Sequence, residues 1–175
     1  MLLLATVAAA AEPRVALTAR GGASQYGPWF PILTVGGEAR VRVAGPVWGL
    51  IGQELYEVKR VLPPDVALDT GIYSDWEGMW GWNIGAGWST EVSSLRPYVG
   101  ADLIAVRYYA DLRRSYFAVG GRVRGGLDLQ IVPHVGVNAD VAIGAWGGKK
   151  WSELETGAPD GGPVWKFGVG PVVTF

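Results

Sequence analysis

The ionisable side chains of this sequence are scattered rather than clustered, and that limits the chemistry they can do. The only histidine, His134, follows Pro133 in a stretch that reads as a turn. No serine or acid stands beside it in a recognisable motif, so a nucleophilic triad is not expected. Cysteine is absent, which removes thiol nucleophiles, disulfides and thiolate metal sites. Asp65 and Asp69, and further on Glu153, Glu155 and Asp160, could hold a divalent cation loosely. Their spacing matches no calcium loop, so they read as solvated charge. The glycines fall within alternating patterns rather than between a strand and a helix, and no phosphate-binding fingerprint occurs. There remain Arg20, Glu38, Arg40, Arg42, Glu54, Asp102, Arg122, Arg124, Asp128 and Asp140. Their signs are mixed, and the chemistry open to them is mutual ion pairing. The expectation is a protein that is not an enzyme and carries no cofactor. A net charge of -1 also excludes a strongly basic nucleic-acid surface.

The elements that carry these charges show a period of two. In Met79 to Thr90, Trp80, Trp82, Ile84, Ala86 and Trp88 share one parity; Gly81, Asn83, Gly85, Gly87 and Ser89 share the other. A helix would scatter the two classes, whereas a strand puts each on its own face. Phe117, Val119, Val123, Leu127, Leu129 and Ile131 likewise oppose Arg122, Arg124, Asp128 and Gln130. Leu33, Val35, Ala39, Val41 and Val43 oppose Glu38, Arg40 and Arg42. Val135, Val137, Ala139, Val141 and Ile143 oppose Asn138 and Asp140.

The spacing predicts eight strands near residues 14–23, 32–43, 47–57, 78–90, 97–108, 117–131, 134–146 and 164–175. The third is the least regular, because Trp48, Leu50 and Tyr56 fall opposite Ile51 and Leu55; a bulge near Gly52 would reconcile them. Tight connections at 44–46, 92–95 and 132–134 alternate with longer ones at 24–31, 58–71, 111–115 and 147–163.

The polar faces decide how such strands assemble. A face turned to water normally carries long Lys, Glu and Gln side chains. Here it is mostly Gly, Ala, Ser and Asn with single charges of both signs, which suits a narrow interior. The apolar faces would then meet lipid, giving an all-β, eight-stranded, antiparallel up-and-down transmembrane barrel. The ten residues from Arg20 to Asp140 named above become a lumen network, filling it so that no substantial pore remains. Aromatic residues are expected in two interfacial belts. Trp48, Trp88, Tyr98 and Phe175 would lie at the tight-turn end. Trp29, Phe30, Tyr56, Trp80, Tyr108, Tyr109, Trp146 and Trp165 would lie at the other. A soluble barrel enclosing a small apolar ligand is the competing architecture.

Residues 1–11, MLLLATVAAAA, resemble the apolar region and small-residue cleavage site of a signal peptide, and 12–175 read as one domain. The chain ends VWKFGVGPVVTF. Here it resembles the small eight-stranded outer-membrane β-barrel proteins of Gram-negative bacteria, the OmpA- and OmpX-like group. Arg96-Pro97-Tyr98-Val99-Gly100-Ala101-Asp102 also looks like the fifth strand of many of them. The resemblance implies that Phe167, Val169, Val173 and Phe175 form a signal read by the barrel-assembly machinery, with Pro171 a departure from the usual pattern. It also implies a bacterial outer-membrane location, with outer-membrane lipid and an extracellular or envelope protein as partners. The implied role is a structural anchor or an interaction protein acting through extracellular loops; a narrow channel and a lipid-modifying barrel enzyme are the alternatives.

Overall fold

A computed structural model describes residues 14–26, 29–59, 76–111, 114–148 and 161–175. They form β1 (Val15–Tyr26), β2 (Trp29–Ala44), β3 (Val47–Lys59), β4 (Trp76–Ser89), β5 (Leu95–Asp111), β6 (Arg114–Val132), β7 (Val135–Gly148) and β8 (Gly161–Thr174). Each strand pairs antiparallel with its neighbours in sequence order, and β8 returns to β1. Closure removes the unpaired edges that an open sheet would present. At the seam, Ala16 lies opposite Thr174, and the Phe175 N–H donates to the Val15 carbonyl at 2.9 Å.

The register sets the bore. A path across the strands leaves β1 at Val15 and passes Val41, Gly49, Ala86, Ala101, Val123, Ile143 and Trp165. It re-enters β1 at Gln25, ten residues beyond its start. Eight strands with this stagger tilt by about 40° and enclose a space just wide enough for side chains to fill.

Three tight hairpins close one end. Ala44 pairs with Val47, Val92 bridges to Leu95, and Val132 pairs with Val135. Gly45 turns with φ of 49°, where the missing Cβ removes the steric cost. Ser93 and His134 occupy the same left-handed region at 61° and 68°.

The structure corrects the sequence reading at two of its longer connections. Ser24 pairs with Ile32 and Tyr26 with Trp29, so most of the 24–31 connection is strand. Asp111 pairs with Arg114 in the same way, shortening the 111–115 connection. Alternation marks a strand only where its two faces meet different surroundings, whereas the backbone ladder continues past that zone. Of the other two connections, 60–75 and 149–160 lie outside the described residues, as does the 1–11 segment. Asp65, Asp69, Glu153, Glu155 and Asp160 lie there too. Nor is there a bulge near Gly52. The β3–β4 register runs unbroken from Val47 opposite Trp88 to Lys59 opposite Trp76, and the β2–β3 register shifts only between Arg42 and Ala44.

Candidate functional site: an ion-paired lumen

The two faces of the barrel wall are chemical opposites. Leu103 on β5 is 68% exposed while its neighbour Asp102 is 3% exposed. Across the ladder Val123 is exposed and Arg122 and Arg124 are buried. The same inversion holds at Val35 and Val41 against Glu38 and Arg40, and at Val141 and Ile143 against Asp140. An outer surface of Val, Ile and Leu around a charged centre is stable only when the outer surroundings are themselves apolar.

The buried charges balance. Five cations (Arg20, Arg40, Arg122, Arg124 and Lys166) share the described lumen with five anions (Glu38, Glu54, Asp102, Asp128 and Asp140). Arg20 reaches Glu38 at 2.7 Å and Asp140 at 2.6 Å. Arg124 also binds both of these carboxylates, at 2.7 Å from Asp140, and so joins β2, β6 and β7 through shared acceptors. Arg40 spans the lumen to Asp128 at 2.9 Å and donates to the Thr18 hydroxyl at 3.3 Å. Arg122 grips Asp102 through two nitrogens at 3.0 and 2.7 Å, the fork geometry that makes guanidinium–carboxylate pairs strong, and reaches Glu54 at 3.1 Å. Lys166 and the Tyr56 hydroxyl complete the shell of Glu54. Asn138 donates to Asp128 at 2.7 Å and to the Tyr98 hydroxyl at 3.0 Å. Carboxylates held this way keep their charge out of water without leaving it uncompensated.

Of the residues expected in the lumen, all but Arg42 are buried within this network. Arg42 is half-buried at the tight-turn end, with its guanidinium 5.1 Å from the centre of the Trp48 ring. Lys166 belongs to the network but was not among the residues singled out. Its parity, opposite Phe167, was the available signal.

The aromatic belts need correction. Trp48, Tyr98 and Trp146 do not face outward; all three are buried in the lumen, as is Tyr56. Trp48 closes the tight-turn end with Ala16 and Val172. Tyr98 lies beneath two guanidiniums, 4.6 Å from that of Arg40 and 5.8 Å from that of Arg124. The room for its ring comes from Gly126 directly opposite, where a Cβ would stand 2.4 Å from the Tyr98 ring. Trp146, Val164, Val106 and Ile104 are also buried, on strand positions nearer the other end. The physical reason is that a closed lumen needs volume above and below its charged layer, and flat rings supply it. Strand parity, not residue type, decides which face a side chain joins. Trp80, Trp88, Phe175 and Trp165 stand on the outward parity, Trp165 donating to Gln25. Trp29 and Tyr108 lie within β2 and β5, but their side chains are outside the described ones, as are those of Phe30 and Tyr109. Trp82 is stacked between Trp80 and Phe117, at 5.2 and 6.3 Å between ring centres.

His134 sits in the β6–β7 turn, with Nδ1 2.9 Å from the Thr174 carbonyl oxygen. This bond ties the turn to the end of β8. Among the described residues no group of His, Asp or Glu is arranged to hold a metal ion. Phe167 is outward and exposed, Val169 is exposed and Phe175 ends the chain on the exposed face; Val173 is partly exposed.

No model of a known protein family matches the sequence, and no curated protein matches it either. Solved structures do. The chain is similar to Neisserial surface protein A, with 15% identity, 92% of this chain and 96% of that one covered, and a TM-score of 0.66. It is similar to a de novo designed transmembrane β-barrel at 14% identity and a TM-score of 0.55, covering 94% and 98% of the two chains. The N-terminal barrel domain of OprF from Pseudomonas aeruginosa gives 16% identity, 92% and 96% coverage, and a TM-score of 0.53. The neighbours are small outer-membrane barrels and one designed barrel. What they share with this chain is the closed, all-antiparallel β-barrel architecture.

Proposed function

We propose that this chain is an outer-membrane β-barrel of a Gram-negative bacterium that serves as an anchor or interaction protein. In this reading the barrel holds its position in lipid and presents the segments around 60–75 and 149–160 outside the cell. The observation that carries it is the pairing of an apolar outer face with a closed, charge-balanced lumen. The outer face suits acyl chains. The lumen is occupied across its width by Arg20, Arg40, Arg122, Arg124 and Lys166 with their carboxylates, and rings stand above and below them. An ion crossing it would have to displace pairs whose separation leaves buried charge unmatched, a cost of about 3–5 kcal/mol for each partner lost. That argues against a channel. Residues 1–11 fit removal on export, and Phe167, Val169, Val173 and Phe175 fit recognition by the assembly machinery.

Planar-bilayer recording of the refolded chain is the test. The expected trace is flat, without unitary openings. Discrete, reproducible openings would replace the anchor reading with a channel. Replacing 60–75 or 149–160 with a short Asn-Gly-type turn should leave the heat-modifiable folded form intact while abolishing surface interactions of cells that express the chain.

A further inference from the structure

Among the described outward side chains of the strands three are polar: Gln25 and Arg107, toward the end away from the tight hairpins and each with interaction partners, and Gln53 at the centre of β3. Gln53 is the middle residue of a thirteen-residue strand and points outward. On its own strand it lies between Ile51 and Leu55, 60% and 57% exposed. Across the ladder it stands opposite Gly37 on one side and Trp82 on the other. Among the described residues its amide makes no side-chain hydrogen bond. If the barrel spans a bilayer, as the preceding section proposes, this amide sits in hydrocarbon, where an unsatisfied donor and acceptor cost several kcal/mol.

We infer that the β3 face is a self-association surface, and that its occupant is a second copy of this chain with the two Gln53 amides hydrogen-bonded to each other. Three observations favour a second copy over any other occupant. A primary amide carries a donor and an acceptor, so two of them satisfy each other, whereas an acyl chain offers neither. A closed dimer of two copies inserted with the same topology has its two-fold axis along the membrane normal, which sets Gln53 of each copy at the same depth. The surroundings also permit close approach: Gly37 lies beside Gln53, and Ala39 and Gly49 lie nearby on the same outward face. On the β2 side small residues let a second backbone approach the polar side chain, as in membrane segments that associate without a hydrophobic driving force, while Ile51, Leu55 and Trp82 flank it elsewhere.

The chain has no cysteine, so single cysteines can be introduced cleanly. The full chain, refolded in phosphatidylethanolamine–phosphatidylglycerol vesicles, would carry Ile51→Cys, beside Gln53 on the same outward face, or, on the far side of the barrel, Val141→Cys. Oxidation should link Ile51→Cys pairs efficiently and leave Val141→Cys monomeric. Without cysteines, subunit-exchange fluorescence energy transfer should give a dimer that Gln53→Leu weakens about tenfold, the scale of an amide pair in lipid. Gln53→Asn, which keeps the amide, should retain most of the association. Heat-modifiable migration confirms that each variant is folded. Equal cross-linking at both sites, a monomeric parent chain at every protein-to-lipid ratio, or undiminished association of Gln53→Leu would overturn the inference. A fluorophore on Ile51→Cys, which leaves Gln53 in place, separates the two levels. Quenching by lipid-borne quenchers in a monomer removes only the dimer, whereas quenching by aqueous iodide alone removes the lipid-spanning reading beneath it.

Discussion

The outer face and the lumen of this barrel are built from the same strands, one residue apart, yet they obey different rules. Outward positions such as Val35, Leu103, Val123 and Ile143 are exposed and branched or aliphatic. They meet a fluid, apolar medium, which rewards hydrophobicity but not shape. Inward positions such as Glu38, Arg124 and Asp140 meet specific partners at hydrogen-bond distance. There, identity matters because each charge is satisfied by particular neighbours. The outer face therefore holds the barrel in its medium, and the lumen holds the barrel to itself.

Breaking that contrast should cost most inside. Glu38 accepts from Arg20 and Arg124, so Glu38→Ala leaves two buried guanidiniums short of an acceptor. A loss of about 3–5 kcal/mol in urea unfolding from lipid vesicles is expected. Next comes a charge on the wrong face: Val123→Arg should cost about 2–4 kcal/mol in the same assay, because the site lies within the apolar belt. Tyr98→Leu sharpens the comparison from within, removing the ring that lies beneath Arg40 and Arg124 and shields Gly126. About 1–2 kcal/mol is expected, given what a desolvated cation–ring contact contributes. Smallest should be Val35→Leu, which exchanges one lipid-facing aliphatic group for another and should move the unfolding midpoint by less than about 0.5 kcal/mol. An effect at Val35 as large as that at Glu38 would erase the distinction between the faces.

Much of the architecture was legible in the alternation. A strand inserts every second residue into one environment, so Glu38, Arg40 and Arg42 separate from Val35, Val41 and Val43 on parity alone. The same parity is available for Trp48, Tyr56, Tyr98, Trp146 and Lys166. For the four aromatics, assignment to the interfaces by residue type fails, because the lumen's need for bulk above and below its charges outweighs that tendency. Which carboxylate meets which cation was not legible. Arg40 and Asp128 are 88 residues apart, and only the ten-residue stagger brings them to the same height across the bore. Strand ends beyond the apolar zone, as at Tyr26 opposite Trp29, leave no trace in the pattern because only the backbone ladder defines them.

Parallax quenching of single-cysteine fluorophores along β6 and β7, in vesicles of the refolded chain, reads the direction of the side chains themselves. Labels at Val119, Val123 and Leu127 should be quenched by lipid-borne nitroxides and be indifferent to iodide, while Ala118 and Ala142 should resist both and label poorly. The reverse pattern, with iodide reaching Val119, Val123 and Leu127, would mean that water bathes the aliphatic face and that the barrel does not reside in lipid.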